Sequence, residues 1–198
     1  MSFSAAYLRR VADVARQIDP AVIESMAVVL SDLRARGGRL FFLGVGGGAG
    51  NASHAVNDFR KLAGIEAYAP TDNVSELTAR INDDGWESSY AAWLQGSRLS
   101  AKDGIVVFSV GGGDAAKNVS LNLVRAIDYA RSIGAEVFGV VGRDGGHTAR
   151  SAKYCVIVPT VDEGLVTALT ESYQAVVWHL LAFHPLLRRQ EGKWESLR

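Results

Sequence analysis

Two side chains suited to acid–base or metal chemistry lie one helical turn apart in the first half of the sequence. His54 and Asp58 are four residues apart in a segment with helical spacing, 51–62, so both project from one face of the predicted helix. Imidazole and carboxylate are groups that proteins commonly use for proton transfer and for metal binding. The pair therefore predicts a functional site on this helix.

A glycine-rich loop leads directly into this helix. Residues 40–43 are apolar and predict a buried strand, and glycines follow at 44, 46–48 and 50. Glycine permits positive φ and the close approach of a ligand, while the N-terminus of a helix attracts anions. The loop therefore predicts an anion site, although many such strand–helix turns bind nothing. It matches neither the dinucleotide-binding fingerprint nor a P-loop, so no nucleotide cofactor is expected.

Short apolar segments alternate with longer amphipathic segments along the chain. The predicted strands are 39–44, 105–109, 136–141 and 154–158, with an extended run at 65–69. The predicted helices are 4–17, 20–36, 51–62, 75–81, 86–99, 115–133 and 162–183. This order predicts an α/β fold of three layers, α/β/α, with a mainly parallel central sheet and a helical N-terminus. We expect one domain over 1–198, with N-terminal helices in 1–37, an α/β core in 38–185 and a polar tail in 186–198.

A second glycine loop follows the strand predicted at 105–109. It reads Ser109-Val110-Gly111-Gly112-Gly113-Asp114. Ligands of parallel sheets bind beyond the carboxyl ends of the strands, so the two glycine loops are expected to form the floor of one pocket. Asp114 is expected to cap the following helix, where its carboxylate would repel a phosphate.

The composition excludes several classes of protein. Hydrophobic residues make up 48% of the chain, charged residues 21%, and the formal net charge is +0. A neutral chain is not expected to bind nucleic acid over a large surface. No secretory signal and no run of about 18 apolar residues is evident, so we expect a cytoplasmic protein without a membrane span. The single cysteine, Cys155, is expected to be a buried strand residue.

Five segments together resemble the sugar isomerase (SIS) domain, and within it the phosphoheptose (sedoheptulose 7-phosphate) isomerase group. In order, they are GVGGGAGNASHAVNDF, TDNVSELTARINDDGW, FSVGGGDAAKN, VFGVVGRDGG and TALTESYQAVVWHLL. The resemblance covers most of the chain, from the N-terminal helices to Phe183. It implies an SIS-type, flavodoxin-like fold and the aldose–ketose isomerisation of a sugar or sugar phosphate.

The resemblance also assigns roles to individual residues. It implies that Asp58 is the base that moves a proton between adjacent carbons and that His179 is the acid that opens the sugar ring. Some family members bind a divalent metal such as zinc, and the corresponding ligands here are His54, Asp58, Glu171 and His179. The implied substrate-binding residues are Gly46, Gly47, Gly48, Asn51, Thr71, Asp72, Asn82, Asp83, Ser109, Gly111, Gly112, Gly113 and Asp114.

The spacing of two of these residues bears on assembly. Glu171 and His179 are eight residues apart on one predicted helix, a rise of about 12 Å. One copy of the helix is therefore not expected to bring both onto one small ion, and two subunits would contribute if both serve one site. The resemblance also implies a homodimer or homotetramer with sites at the subunit interfaces.

The loops depart from the phosphosugar-binding pattern of the SIS family, which carries hydroxyl groups. Val45 and Gly48 stand where asparagine and serine are usual, and only Ser109 remains of the hydroxyls in the second loop. The base is an aspartate instead of the usual glutamate, and Glu171 replaces a usual glutamine. Two alternatives therefore stay open. One is a non-catalytic SIS module that binds a sugar derivative or a protein partner, as replication-initiator adaptors do. The other is an isomerase whose substrate lacks phosphate.

Simpler structural roles also remain open for several of these side chains. His54 could pack within the fold, His179 could be a core histidine, and Glu171 could be a solvated or interface carboxylate. Three tryptophans are expected to lie in the core or at an interface: Trp86, Trp93 and Trp178. His147 is expected to be a loop residue and His184 a helix-end residue.

Overall fold

Five short apolar segments form the central sheet in the computed structural model, which describes residues 2–190. The strands are β1 Leu40–Gly44, β2 Ala67–Tyr68, β3 Gly104–Ser109, β4 Glu136–Val141 and β5 Tyr154–Ile157. The helices are α1 Phe3–Gln17, α2 Pro20–Ala35, α3 Gly47–Lys61, α4 Val74–Asp84, α5 Ser89–Gly96, α6 Leu121–Ser132, α7 Gly146–Ser151 and α8 Val166–Phe183. A short 3-10 helix, Glu163–Leu165, precedes α8.

All the strand pairs in this sheet are parallel, in the order β2-β1-β3-β4-β5. This is the flavodoxin-like strand order, and it confirms the fold class predicted from the sequence. Along the chain, the strand order reverses direction at β1. The carboxyl ends of the neighbouring strands β1 and β3 therefore flank the switch point at which such sheets bind their ligands.

Helices cover the sheet on both faces, because successive strand residues point to opposite sides. Leu40, Phe42, Val106 and Phe108 pack against α2, α3 and α8 in one hydrophobic core. The opposite strand residues pack in a second core with residues of α5 and α6, namely Phe41, Leu43, Ile105, Val107, Tyr90, Trp93, Leu123 and Ile127. Contacts between α3 and α8 on the first face bring their side chains close to one another.

Five helices differ from the sequence prediction by three or more residues at one end or both, namely α3, α4, α5, α6 and α8, and the cause is visible for three of them. α3 begins at Gly47 instead of residue 51, because the glycines form its first turn. Residue 48 has to be glycine for this turn to pack on β3, since a Cβ there would lie 2.6 Å from the Phe108 carbonyl oxygen. α5 covers only Ser89–Gly96 of the predicted 86–99, and Arg98 has φ +52°, outside the helical region. α6 begins at Leu121 instead of residue 115, because the chain first turns back through an Asp114–Val119 bridge.

Two further expectations need correction. The segment after Gly146 contains a short helix, α7, that the sequence prediction missed, and His147 lies on it with Nε2 2.8 Å from Asp128 Oδ1. The start of the predicted polar tail packs against the fold: Leu187 is buried and its carbonyl accepts a hydrogen bond from Arg34. The rest of that tail, 191–198, lies outside the described residues.

Two simpler expectations can also be compared with the structure. Cys155 lies in β5 but is only partly buried, and burial raises the pKa of its thiol to about 12, so it stays protonated at neutral pH. None of the helices within 2–190 combines the length and the apolar composition that a membrane span requires.

Candidate functional site

Three of the residues singled out in the sequence meet between α3 and α8. His179 Nε2 lies 3.2 Å from Asp58 Oδ2, and His54 Nε2 lies 3.7 Å from the same oxygen. The two imidazole rings are edge-on to each other, with centroids 5.4 Å apart. The one-turn spacing of His54 and Asp58 on α3, together with the packing of α8 against α3, produces this arrangement.

Asp58 is held by two further side chains. The indole Nε1 of Trp178 donates a hydrogen bond to Oδ2 (3.1 Å), and the amide Nδ2 of Asn57 donates one to Oδ1 (3.0 Å). The Asp58 side chain is 10% exposed, whereas the His54 and His179 side chains are 56% and 45% exposed. The carboxylate is thus fixed from the protein side, and the imidazoles face the solvent, the side from which a substrate can approach.

The bond from Trp178 to Asp58 could not be predicted from the sequence. Trp178 is buried in the first core, as expected, and its ring also packs against His54 (5.3 Å between centroids) and His179 (4.9 Å). Within α8, an apolar pattern indicates burial but does not indicate which polar atom meets the indole N–H. The available signal was that a buried tryptophan usually finds a hydrogen-bond acceptor.

The same three side chains suit a divalent metal. One ligand atom from each of His54, Asp58 and His179 lies within 4.8 Å of the others. Ligands bound to zinc at about 2.0–2.1 Å in a tetrahedron are about 3.3 Å apart, close to the observed separations from Asp58 Oδ2. Two imidazoles and one carboxylate are also a usual three-ligand set for catalytic zinc. The donor set therefore fits such an ion.

A cleft of about 230 Å³ lies at the carboxyl ends of β1 and β3. It is lined by the two glycine loops and by α8, including Gly48, Ser109, Gly111, Ser120, Glu171 and Gln174. This is the pocket floor that the glycine loops predicted. Tyr90 holds the start of the first glycine loop, since its buried hydroxyl donates a hydrogen bond to the carbonyl of Gly44 (2.6 Å). Burial raises the pKa of Tyr90 to about 12.

Glu171 lies in this cleft and outside the His54–Asp58–His179 group. Its carboxylate covers the first glycine loop so closely that a Cβ at Gly47 would lie 2.4 Å from Oε2. The Asn51 side chain fixes this part of α8 by donating to the Glu171 carbonyl (2.9 Å) and to Gln174 Oε1 (2.8 Å). Asn51 therefore ties α3 to α8, and the cleft floor carries a negative charge.

The structure at the end of the second glycine loop differs from the prediction. Asp114 was expected to cap a helix beginning at residue 115, but it caps a turn: its carboxylate accepts from the backbone N–H groups of Ala116 (3.0 Å) and Lys117 (3.2 Å). Asn118 and Ser120 have φ near +55° and +51°, which an α-helix cannot include. Ser109 Oγ accepts from Gly112 N (3.0 Å), so the remaining loop hydroxyl already bonds within its own loop.

The other implied substrate residues fall into two groups. Asp72 accepts a hydrogen bond from the hydroxyl of Ser53, next to His54 on α3, and Thr71 has a buried hydroxyl without a partner among residues 2–190. This loop therefore lies beside α3. Asn82 and Asp83 lie at the exposed end of α4, where the Asn82 amide donates to Asp83 Oδ1 (2.8 Å), and within the described chain they form no hydrogen bond with the histidines.

Comparison with known proteins gives consistent similarities. The chain is 32% identical over 167 residues to a phosphoheptose isomerase of Rhodospirillum rubrum, covering 82% of each protein. It is also 32% identical over 172 residues to the lincomycin biosynthesis protein LmbN of Streptomyces lincolnensis, covering 82% of this chain and 61% of that protein. No model of a known protein family matches the sequence.

The fold is similar to solved structures as well. A phosphoheptose isomerase from Neisseria gonorrhoeae superposes with a TM-score of 0.77 at 23% identity, covering 90% of this chain and 94% of the other. At this identity the likeness concerns the fold. The parallel sheet and the helices on both of its faces are therefore an arrangement shared with an SIS-type isomerase.

Proposed function

This chain belongs to the phosphoheptose isomerase family of SIS-type sugar isomerases, and from that membership we propose that it interconverts the aldose and ketose forms of a sugar phosphate. The observation that carries the proposal is the meeting of His54, Asp58 and His179 at one point between α3 and α8. A non-catalytic binding module has no need for two imidazoles around one carboxylate oxygen. The geometry therefore favours the enzyme over the binding-module alternative.

The proposed reaction needs one base and one acid. Asp58 removes the proton from the hydroxyl-bearing carbon next to the carbonyl group while the carbonyl oxygen gains a proton, which gives an enediol. Asp58 then returns the proton to the former carbonyl carbon while the neighbouring hydroxyl oxygen loses its proton, so the aldose becomes the ketose. His179 Nε2 transfers a proton at the sugar oxygens during ring opening. Trp178 and Asn57 keep the carboxylate oriented, and the exposed imidazoles leave the solvent side open to the substrate.

Proton transfer by Asp58 can be observed directly in heavy water. We expect wild-type protein incubated with sedoheptulose 7-phosphate in D₂O to produce the aldose and to introduce deuterium beside the carbonyl group, because a carboxylate base exchanges its proton with the solvent. Nuclear magnetic resonance of the sugar measures both changes. The proposal fails if neither occurs with protein assayed both with and without added Zn²⁺.

We also propose that a divalent ion, zinc or a similar one, binds His54, Asp58 and His179. When bound, such an ion would polarise the oxygens of the substrate in place of the proton on His179 Nε2, because that nitrogen would then be a metal ligand. Asp58 Oδ2 faces both histidines and Oδ1 is held by Asn57, so the chain supplies a fixed carboxylate ligand. Glu171 lies about 12 Å along α8 from His179, so it joins this set only if a second subunit provides it.

Metal content tests this part of the proposal. Protein purified without a histidine tag is expected to contain close to one metal ion per site, and His54→Ala is expected to lose most of it, since one of three ligands is removed. Elemental analysis by mass spectrometry gives the content. His147→Ala is the matched control, because it removes a histidine on α7. Equal metal in wild type and His54→Ala would refute the assignment.

We further propose a cytoplasmic homo-oligomer, dimer or tetramer, in which each chain is a single SIS domain. Three apolar residues of α8 share one exposed face, Val176 (50%), Leu180 (42%) and Phe183 (46%), and the half-exposed His179 lies beside them. A second subunit on this face would bury the apolar stripe and enclose the histidines. Sedimentation velocity tests the proposal, and a single species of monomer mass would contradict it.

A further inference from the structure

One side chain, Trp178, contacts all three members of the His54–Asp58–His179 group. Its indole Nε1 donates a hydrogen bond to Asp58 Oδ2 (3.1 Å). Its ring centroid lies 5.3 Å from that of His54 and 4.9 Å from that of His179. The indole is thus the common neighbour of the proposed base, the proposed acid and the third candidate ligand.

The hydrophobic core holds the indole from the opposite side. Trp178 is 2% exposed and packs against Phe108 of β3, with ring centroids 5.8 Å apart. Successive residues of an α-helix point about 100° apart, so α8 can bury Trp178 and leave the next residue, His179, half-exposed. An indole has only two side-chain torsions, and close packing in a core restrains both. The N–H is therefore presented to α3 from a fixed position.

Asp58 Oδ2 is the oxygen on which the group converges. Trp178 Nε1 (3.1 Å), His179 Nε2 (3.2 Å) and His54 Nε2 (3.7 Å) all approach it. A carboxylate oxygen has about two lone-pair sites, and the indole N–H, which can only donate, occupies one of them. The other remains available to the imidazole side of the group, where an ion or a proton is bound.

The two hydrogen bonds that hold Asp58 differ in their surroundings. The Asn57 amide reaches Oδ1 (3.0 Å) from an exposed position on the same helix, where water competes for the carboxylate. The bond from Trp178 is buried and joins two helices, α8 and α3. A hydrogen bond shielded from water is electrostatically stronger, so the Trp178 bond contributes more than the Asn57 bond to the orientation of Asp58.

We propose that Trp178 is a positioning residue that holds Asp58 Oδ2 toward His54 and His179 and thereby gives the group its affinity for a divalent ion. The inference rests on the proposed function, because it takes the three side chains to be ion ligands. Trp178 itself binds neither ion nor substrate, since its N–H has no lone pair to offer and its ring is buried. It acts through the carboxylate, as hydrogen-bond partners of metal ligands generally do.

The zinc affinity of the full chain provides the test. Trp178→Phe removes the N–H and keeps an aromatic ring between Phe108 and the imidazoles. We expect its dissociation constant for Zn²⁺, measured on metal-free protein by competition with a chromophoric chelator, to rise about 10- to 100-fold, the usual cost of losing a partner of a metal ligand. In an Asp58→Ala background, the same replacement is expected to change the remaining affinity by less than about twofold, because the carboxylate that it orients is gone.

The control is Trp93→Phe. Trp93 is also a buried tryptophan packed on a phenylalanine, Phe41, with ring centroids 5.6 Å apart, but it lies in the second core, on the other face of the sheet. This variant therefore exchanges an indole for a phenyl ring without touching Asp58. Zinc affinity within about twofold of wild type is expected, because the two sites share no partners.

A second measurement follows Trp178 in the wild type and does not depend on the folding of any one variant. Indole N–H groups give separate signals in a ¹H–¹⁵N nuclear magnetic resonance spectrum, each assigned by its loss in a Trp→Phe variant or by elimination. Zinc bound to Asp58 Oδ2 changes the charge on the oxygen that accepts the Trp178 hydrogen bond, so this signal is expected to shift while that of Trp93 stays in place. Zinc binding that leaves the Trp178 signal unmoved overturns the proposal.

Three further outcomes overturn it as well. They are equal zinc affinity in Trp178→Phe and wild type, equal losses in Trp178→Phe and Trp93→Phe, and no zinc binding by the wild type. An undiminished effect of Trp178→Phe in the Asp58→Ala background would show that the indole does not act through Asp58, and would therefore also refute the role assigned to it.

The same variants separate this inference from the proposed function. Zinc binding requires no turnover, so a wild type that shows the expected losses yet isomerises nothing would refute the isomerase and leave the role of Trp178 in place. With an active wild type, we expect Trp178→Phe to lower kcat for sedoheptulose 7-phosphate by about 10- to 100-fold with KM within about twofold, since the indole does not touch the substrate. An unchanged kcat would refute the role of Trp178 and leave the isomerase intact.

Discussion

Replacing Asp58 with asparagine is expected to lower kcat for sugar-phosphate isomerisation by about 10²- to 10⁴-fold, the usual contribution of a positioned general base. The change removes the basic oxygen and keeps the shape of the side chain. The amide oxygen of asparagine can still accept the hydrogen bond from Trp178 Nε1, which is 3.1 Å from Oδ2 in the wild type. Steady-state rates with sedoheptulose 7-phosphate, and deuterium uptake from D₂O, would measure the loss.

Asp32→Asn is the matched control for this variant. Asp32 is exposed on α2, so its replacement removes one carboxylate charge without touching the His54–Asp58–His179 group. Activity within about twofold of wild type is expected for the control, since surface substitutions of this kind change little. Retention of wild-type activity by folded Asp58→Asn would remove the base from the mechanism and revive the non-catalytic alternative.

The largest expected loss of stability comes from Gly112→Ala. Gly112 has φ +70°, which costs an alanine about 1–2 kcal/mol. A Cβ there would also lie 1.9 Å from the carbonyl oxygen of Gly145, so the two loops would have to separate. Separation weakens the bonds that the Gly112 carbonyl accepts from Thr148 N (2.9 Å) and Oγ1 (2.8 Å).

We therefore expect Gly112→Ala to lower the free energy of unfolding by about 3 kcal/mol or more, and the Tm by about 6–12 °C. Denaturant titration and calorimetry measure these values.

Two other glycines separate the backbone cost of positive φ from the cost of the contact between the two loops. Gly46 has φ +59°, and a Cβ at this position would meet no atom within 4 Å, so Gly46→Ala reports the backbone cost alone. Gly111 has open space and no positive φ, so Gly111→Ala should change little. Equal stability of all three variants would show that the two loops do not constrain each other.

Much of the fold could be predicted from the sequence because local patterns specify it. The apolar segments at 136–141 and 105–109 became β4 and β3 with at most one residue of difference, and Asp19 and Pro20 marked the start of α2. The glycine run misled the prediction of α3, because glycine has low helix propensity and the close approach to Phe108 that requires it is a tertiary contact. The sequence prediction also missed the turn at 114–120, because no periodic pattern of apolar residues marks the Asp114–Val119 bridge.

The same distinction between local patterns and tertiary contacts applies to the candidate site. By itself, the sequence determined that His54 and Asp58 share a face of one helix, because a four-residue spacing fixes their relation, and that Glu171 and His179 are too far apart on α8 for one small ion in one chain. The tertiary structure alone decided that His179 reaches Asp58, that Trp178 donates to it, and that Glu171 covers the first glycine loop. These relations depend on how α3 and α8 pack around the sheet, and side chains brought together by packing leave no periodic signal in the chain.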